Sequence, residues 1–219
     1  MRQGVVPGFI LACVLIVGSL LSVSCATTSN PTGELPTVEI RDYEGINLSS
    51  INEFRENSIK GPQNIDLASY RLKVTGLVEG EKEYTYGEVI GNNQSYSKVV
   101  ELHCVEGWSV KILWEGVLVS DLIGEAGVSP EAKVVIFHAY DGYTTSLPLE
   151  FLRDQNIMMA YKMNGVVLPQ ERGAPFQLVA ESKWGYKWIK WITEVELSDD
   201  INYKGFWESR GYSNDADLD

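Results

Sequence analysis

The stretch AKVVIFHAYDGYTTSLP, Ala132 to Pro148, limits the fold more than any other part of the chain. Two runs rich in β-branched and aromatic residues flank Asp141-Gly142, and glycine supplies the positive φ that a tight two-residue turn requires. A hairpin is expected here. IMMAYKMNGVVLP repeats the signal around Asn164-Gly165. Further strands are expected in YRLKVTGLV, with a bulge or turn at Gly76, and in KVVELHCVE, PFQLVAE and WITEVEL. Helices are few. The spacing of Val117, Leu118, Leu122 and Ile123 predicts a helix in GVLVSDLIGEAGV. PLEFLRD reads as a helical turn opened by Pro148. SINEFRENSIKG reads as a short helix stopped by Gly61-Pro62. YTYGEVI is too short to count as an element, and GNNQSYS is a loop by composition. The fold class is α+β, mainly β, with mixed sheets and short helices.

The N-terminus sets the compartment. One arginine precedes 19 uncharged, mostly apolar residues, Val5 to Val23, and a polar Pro/Ser/Thr-rich stretch follows. Residues 1–24 therefore read as an export signal or membrane anchor, and 25–36 as a polar tether. LSVSC resembles a bacterial-type lipobox ending at Cys25, although Ser22 stands where an aliphatic residue is usual. Lipidation of Cys25 or an uncleaved spanning helix would both hold the domain to the membrane, outside the cytoplasm. Residues 37–66 are an irregular lead-in, and 67–219 are the domain proper. The 219 residues, 44% of them hydrophobic, suffice for one domain with a substantial core. A net charge of −12 disfavours nucleic-acid binding, because the surface repels phosphate.

With Cys13 in the signal and Cys25 at the tether, Cys104 is the one thiol left in the exported domain, so it has no disulfide partner there. It reads either as a small buried hydrophobe or as a metal ligand. Between Tyr161 and Trp191 the charge runs the other way: Lys162, Arg172, Lys183, Lys187 and Lys190 against Glu171 and Glu181 give +3. Lys183, Lys187 and Lys190 follow i, i+4, i+7 spacing, and on a helix they would share one side and hold an anion. A solvated cationic face is the other reading, although four aromatics, Trp184, Tyr186, Trp188 and Trp191, are interleaved with it. The chain has no Gly-rich phosphate loop, CxxC pair, CxxCH haem motif or GxSxG elbow, and only two histidines, His103 and His138.

Four ordered blocks, HCVEGW, DGYTTSLPL, LPQERGAPFQLV and KWGYKWIKWITEVEL, resemble the molybdopterin-binding domain of the sulfite oxidase family over roughly Leu67 to Trp207. The resemblance implies that Cys104 is a thiolate ligand to molybdenum carried by an anionic pterin with a terminal phosphate. It implies cofactor contacts at Arg172, Lys187 and Lys190, a weaker one at Asn57, and Asp141 and Tyr143 at the mouth of the pocket, with Tyr143 near the catalytic centre. Gln177 departs from the pattern, standing where arginine is often found. Neither a haem domain nor an immunoglobulin-like dimerisation domain is evident in the sequence.

What the resemblance implies is a molybdenum-molybdopterin oxidoreductase without haem. It would perform two-electron oxygen-atom transfer on a small or protein-bound sulfur or nitrogen oxide and exchange electrons with a separate partner. The alternative is a membrane-tethered binding protein that kept the fold without the metal.

Overall fold

In the computed structural model, which describes residues 38–218, the expected hairpins organise two five-stranded sheets. A small antiparallel ribbon, β1 (Asp42–Tyr43) with β2 (Ile46–Asn47), opens the lead-in. The strands β3 (Leu72–Gly76) and β4 (Lys82–Tyr84) follow, and then the helix α1 (Tyr86–Asn92). Next come the long hairpin of β5 (Tyr96–His103) and β6 (Ser109–Leu118), the helix α2 (Val119–Gly124), and the hairpin of β7 (Val134–Ala139) and β8 (Thr144–Pro148). The helix α3 (Leu149–Asp154) leads to β9 (Met158–Met163), β10 (Val166–Val167), β11 (Gln177–Val179) and finally β12 (Ile192–Ser198).

One sheet has the order β10-β9-β6-β5, with β11 also pairing with β9. The other has the order β4-β3-β12-β7-β8, in which only the β3–β12 pair is parallel. Asn164 and Gly165 both have positive φ, 47° and 76°, as a two-residue hairpin turn of matching twist demands. Asn164 is completely buried and joins three parts of the chain. Its Oδ1 accepts from Leu113 N (2.9 Å), while its Nδ2 donates to Glu39 Oε1 and to Ser49 O (both 2.9 Å).

Three expectations of local structure are corrected. Ser50–Gly61 forms no helix; side chains there bond to nearby backbone instead, Glu53 accepting from Ser50 N and Glu56 from Ser58 N. YTYGEVI does contain a helix, α1, held by a capping box in which Thr85 and Glu88 satisfy each other's backbone amides. Val117 and Leu118 end β6 rather than begin α2. The strand has both faces buried there, so its apolar run lacks the alternation that marks a half-exposed strand.

The core between the sheets is lined by Leu72, Val74, Ile112, Phe137, Phe176 and Trp191, all almost inaccessible. Trp114, wholly buried on β6, carries Phe54 of the lead-in edge-on at 6.2 Å and Trp188 at 5.8 Å. Truncating such an aromatic costs about 3–5 kcal/mol, so Trp114 fixes both segments that rest on it. Among the described residues no helix is long and apolar enough to cross a membrane. The apolar N-terminal run, Cys25 and the tether lie outside the described residues.

Candidate functional site

Four segments meet where the two sheets present their hairpin tips. Cys104 opens the tip between β5 and β6: its amide donates to Trp108 O (2.9 Å), and Gly107 N returns to Cys104 O (3.0 Å), with Gly107 at φ 83°. Asp141 and Tyr143 form the tip between β7 and β8, where Asp141 Oδ1 accepts from Tyr143 N (2.9 Å). The segment from Gly185 to Trp191 passes between β11 and β12. A Cβ on Gly185 would lie 3.2 Å from His103 O and 3.5 Å from Cys104 Cα, so this glycine lets the backbone close on the thiol. The irregular lead-in crosses in front, and Asn57 Nδ2 reaches Cys104 Sγ at 3.5 Å.

The space enclosed is a cleft with two lobes. The larger, of about 770 Å³ counted to open solvent, is walled by Tyr143, Tyr186, Trp191, Trp207 and Tyr212, with Asp141 among them. The smaller, of about 380 Å³, is lined by Phe54, Arg55, Trp108, Glu171, Arg172 and Gln177. Cys104, Asn57, Gly185, Trp188 and Lys190 belong to both, so the thiol stands at the junction. It is a free cysteine, 5% exposed. Burial pushes its pKa above that of an ordinary thiol, against the pull of the Glu106 amide and Asn57. A cation brought to the sulfur would favour the thiolate over this buried thiol.

Two of the cleft's cations, Lys190 and Arg172, are already engaged. Lys190 binds Glu56 (3.2 Å) and lies over the Trp191 ring at 4.5 Å; burial lowers its pKa, while Glu56 opposes this. Arg172 Nε donates to Ile51 O (3.1 Å), and its guanidinium lies 5.3 Å from the Phe54 ring centre. Beside them Gln177, 3% exposed, has a carbonyl oxygen with no hydrogen-bond partner. A buried acceptor left open costs roughly 1–3 kcal/mol, which a ligand donor would recover. Tyr143 is held protonated by burial, and its hydroxyl donates to Tyr186 O at 2.5 Å.

The structure thus brings together Asn57, Cys104, Asp141, Tyr143, Arg172, Gln177 and Lys190. It does not bring Lys187. The expected shared side for Lys183, Lys187 and Lys190 fails because the only helical structure there is the three-residue turn Gly185–Lys187. Lys183 pairs with Asp217, and Lys187 turns inward to Glu208 (2.6 Å), leaving Lys190 alone of the three on the cleft. Arg55, Glu56, Trp207 and Tyr212 went unrecognised in the sequence: Arg55 and Glu56 directly precede Asn57 but were not singled out, and Trp207 and Tyr212 reach the site through tertiary packing.

A thiol at the junction of a cleft this large, with cations beside it and an unsatisfied carbonyl on its wall, defines a protein built to hold a sizeable polar group through sulfur and hydrogen bonds. The family described as oxidoreductase molybdopterin binding domain matches residues 59–207, and the chain belongs to it. It is a molybdopterin-dependent oxidoreductase.

Among curated relatives, an uncharacterized oxidoreductase, YuiH of Bacillus subtilis, is 36% identical over 152 residues, covering 69% of this chain and 76% of that one. A putative protein-methionine-sulfoxide reductase subunit, YedZ1 of Azospira oryzae, is 32% identical over 69% of this chain and 57% of its own. The catalytic subunit of a protein-methionine-sulfoxide reductase, MsrP of Xanthomonas campestris, is 26% identical over 68% and 53%. Of these two reductase relatives the chain spans little more than half. The sulfane dehydrogenase SoxCD of Paracoccus pantotrophus superposes with a TM-score of 0.63 at 26% identity, over 71% of this chain and 43% of that one. The residues fit a molybdopterin: a thiol for a soft metal, Arg172 and Lys190 for an anionic group, and Gln177 Oε1 for a ring N–H.

Proposed function

We propose that this oxidoreductase reduces an uncharged sulfur oxide, a sulfoxide, to the thioether. Two electrons come from a separate carrier protein, two protons are taken up, and the oxygen leaves as water. The molybdopterin, when bound, supplies the two-electron oxygen-atom transfer. Cys104 holds the metal, Asn57 and the Glu106 amide orient its sulfur, and Arg172, Lys190 and Gln177 hold the pterin. The enzyme works outside the cytoplasm, tethered through Cys25 or an uncleaved N-terminal helix.

The observation that carries this reading is the charge of the cleft lining. Arg55, Arg172 and Lys190 face Glu106, Asp141 and Glu171, three against three. An anionic cofactor engages the cations, and Gln177 adds none. An anionic substrate such as sulfite would then meet a surplus of carboxylates, which a dipolar sulfoxide tolerates. The names of the reductase relatives agree with this choice of substrate.

The test compares the loaded protein on methionine sulfoxide with a reduced dye donor and on sulfite with an oxidised dye acceptor. Sulfoxide turnover at least a hundredfold above sulfite turnover is expected, with sulfite activity rising in Gln177→Arg. Faster oxidation of sulfite by the unaltered protein would refute the reading.

A further inference from the structure

Lys187 and Glu208 are both completely buried side chains and lie outside the machinery assigned above. Lys187 Nζ finds three acceptors: Ser146 O (2.9 Å), Glu208 Oε1 (2.6 Å) and Asn214 Oδ1 (3.4 Å). Thr145 also donates to Glu208 Oε1 (2.6 Å). Two of the lysine's partners, Glu208 and Asn214, belong to the segment 208–218, which lies beyond the span matched by the family.

That segment lies along residues 182–187 and is tied to them repeatedly. Tyr186 donates to Ser213 O (2.9 Å), Trp184 N to Ala216 O (2.8 Å), Leu218 N to Ser182 O (3.0 Å), and Lys183 pairs with Asp217. Its root is equally close: Phe206 N donates to Thr144 O (2.9 Å), and a Cβ on Gly205 would overlap that oxygen at 2.2 Å. The result is an aromatic wall. Tyr212 meets Tyr186 edge-on at 5.2 Å and Trp207 at 5.4 Å, and Tyr212 and Trp207 line the larger lobe.

We propose that residues 208–218 are a strap that walls the larger lobe and so keeps the cofactor, seated beside Cys104 on Arg172, Gln177 and Lys190, from leaving through it, and that Lys187 and Glu208 are positioning residues whose buried contact holds the strap down. The inference rests on the molybdopterin reading of the cleft. A buried charge left without its partner is strongly destabilising, so removal of either side chain favours release of the segment over its docked state. Arg210, exposed in the strap, gives a tryptic site by which release is read.

The experiment uses the cofactor-loaded full chain. Trypsin cleavage after Arg210 is timed by mass spectrometry, and pterin lost over repeated gel filtration is measured by fluorescence, with the thermal transition recorded for every variant. Lys187→Met is expected to be cut after Arg210 at least tenfold faster than wild type. Releasing pterin at least tenfold faster is expected of Lys187→Met, of wild type nicked at Arg210, and of Tyr212→Ala. The double variant Lys187→Met/Glu208→Leu, which leaves no unpaired charge, is expected to regain part of the protection.

Should Lys187→Met fail to fold, the nicked wild type and Tyr212→Ala, altered only at an exposed side chain, still decide the matter. Wild-type pterin retention in both would overturn the strap. A folded wild type that binds no pterin at all would overturn the molybdopterin reading, and the strap's retaining role with it.

Discussion

Asn164→Ala should loosen the lead-in that brings Asn57 to the thiol, and the size of the effect follows from what Asn164 holds. Its side chain makes three hydrogen bonds from a fully buried position, one of them to the carboxylate of Glu39. Losing a hydrogen bond costs about 1 kcal/mol each, and leaving the buried Leu113 N–H without its acceptor adds about 1–2 kcal/mol. Alanine also tolerates φ of 47° less well than asparagine, by up to about 1 kcal/mol. Water restores part of what Glu39 and Ser49 lose, so the sum is about 4 kcal/mol, or roughly 10 °C in Tm for a domain of this length. Urea unfolding of the wild type, Asn164→Ala and Asn164→Gly separates the backbone part from the side-chain part. A loss under about 1 kcal/mol in Asn164→Ala would refute the reasoning.

The same variant has a pH signature. Burial raises the Glu39 pKa, but hydrogen bonds from Asn164, Ile51 N and Ser50, with Arg41 nearby, outweigh it and leave the value lowered. A lowered carboxyl stabilises the fold above its unfolded pKa, and that contribution is lost as pH falls through the folded value. Asn164→Ala should therefore lose less stability on acidification than wild type does.

Three other outcomes follow from the site and the core. In cofactor-free protein, alkylation of Cys104 should rise with pH about a midpoint above that of a free thiol, and Asn57→Leu should move it higher still, as read by mass spectrometry. Gln177→Leu should stabilise the cofactor-free protein by about 1 kcal/mol by removing an unsatisfied carbonyl, yet weaken pterin retention; calorimetry and pterin analysis check the two signs. Trp114→Ala should cost about 3–5 kcal/mol in chemical denaturation, since Phe54 and Trp188 both rest on it.

The sequence made some of this legible for local reasons. Asn164-Gly165 announces its hairpin because both turn positions take positive φ, which few residues tolerate. At Asp141-Gly142 only the glycine does, in a connection longer than the two residues expected, yet the glycine still marked the turn. The helix α1 was missed by its shortness, although Thr85 and Glu88, three apart, carried its capping signal. Cys104 stood out as a solitary thiol, and the family motifs around it located most of the cleft. The direction of Lys187 was not legible. Its spacing from Lys183 and Lys190 means a shared face only on a helix, and Glu208, which buries it, comes from a distant turn. The same holds for Glu56 on Lys190 and Tyr212 on the cleft wall, pairings that exist only once the chain is folded.

The central claim is that Cys104 stands where a molybdenum cofactor binds. Its most direct test is metal and pterin analysis of the full chain, purified from a molybdenum-replete host that makes the cofactor, beside Cys104→Ser. Near-stoichiometric molybdenum and pterin in the wild type, with an altered molybdenum spectrum in the variant, is the predicted result. Folded wild-type protein with neither metal nor pterin, or a variant whose molybdenum spectrum is unchanged, would contradict it.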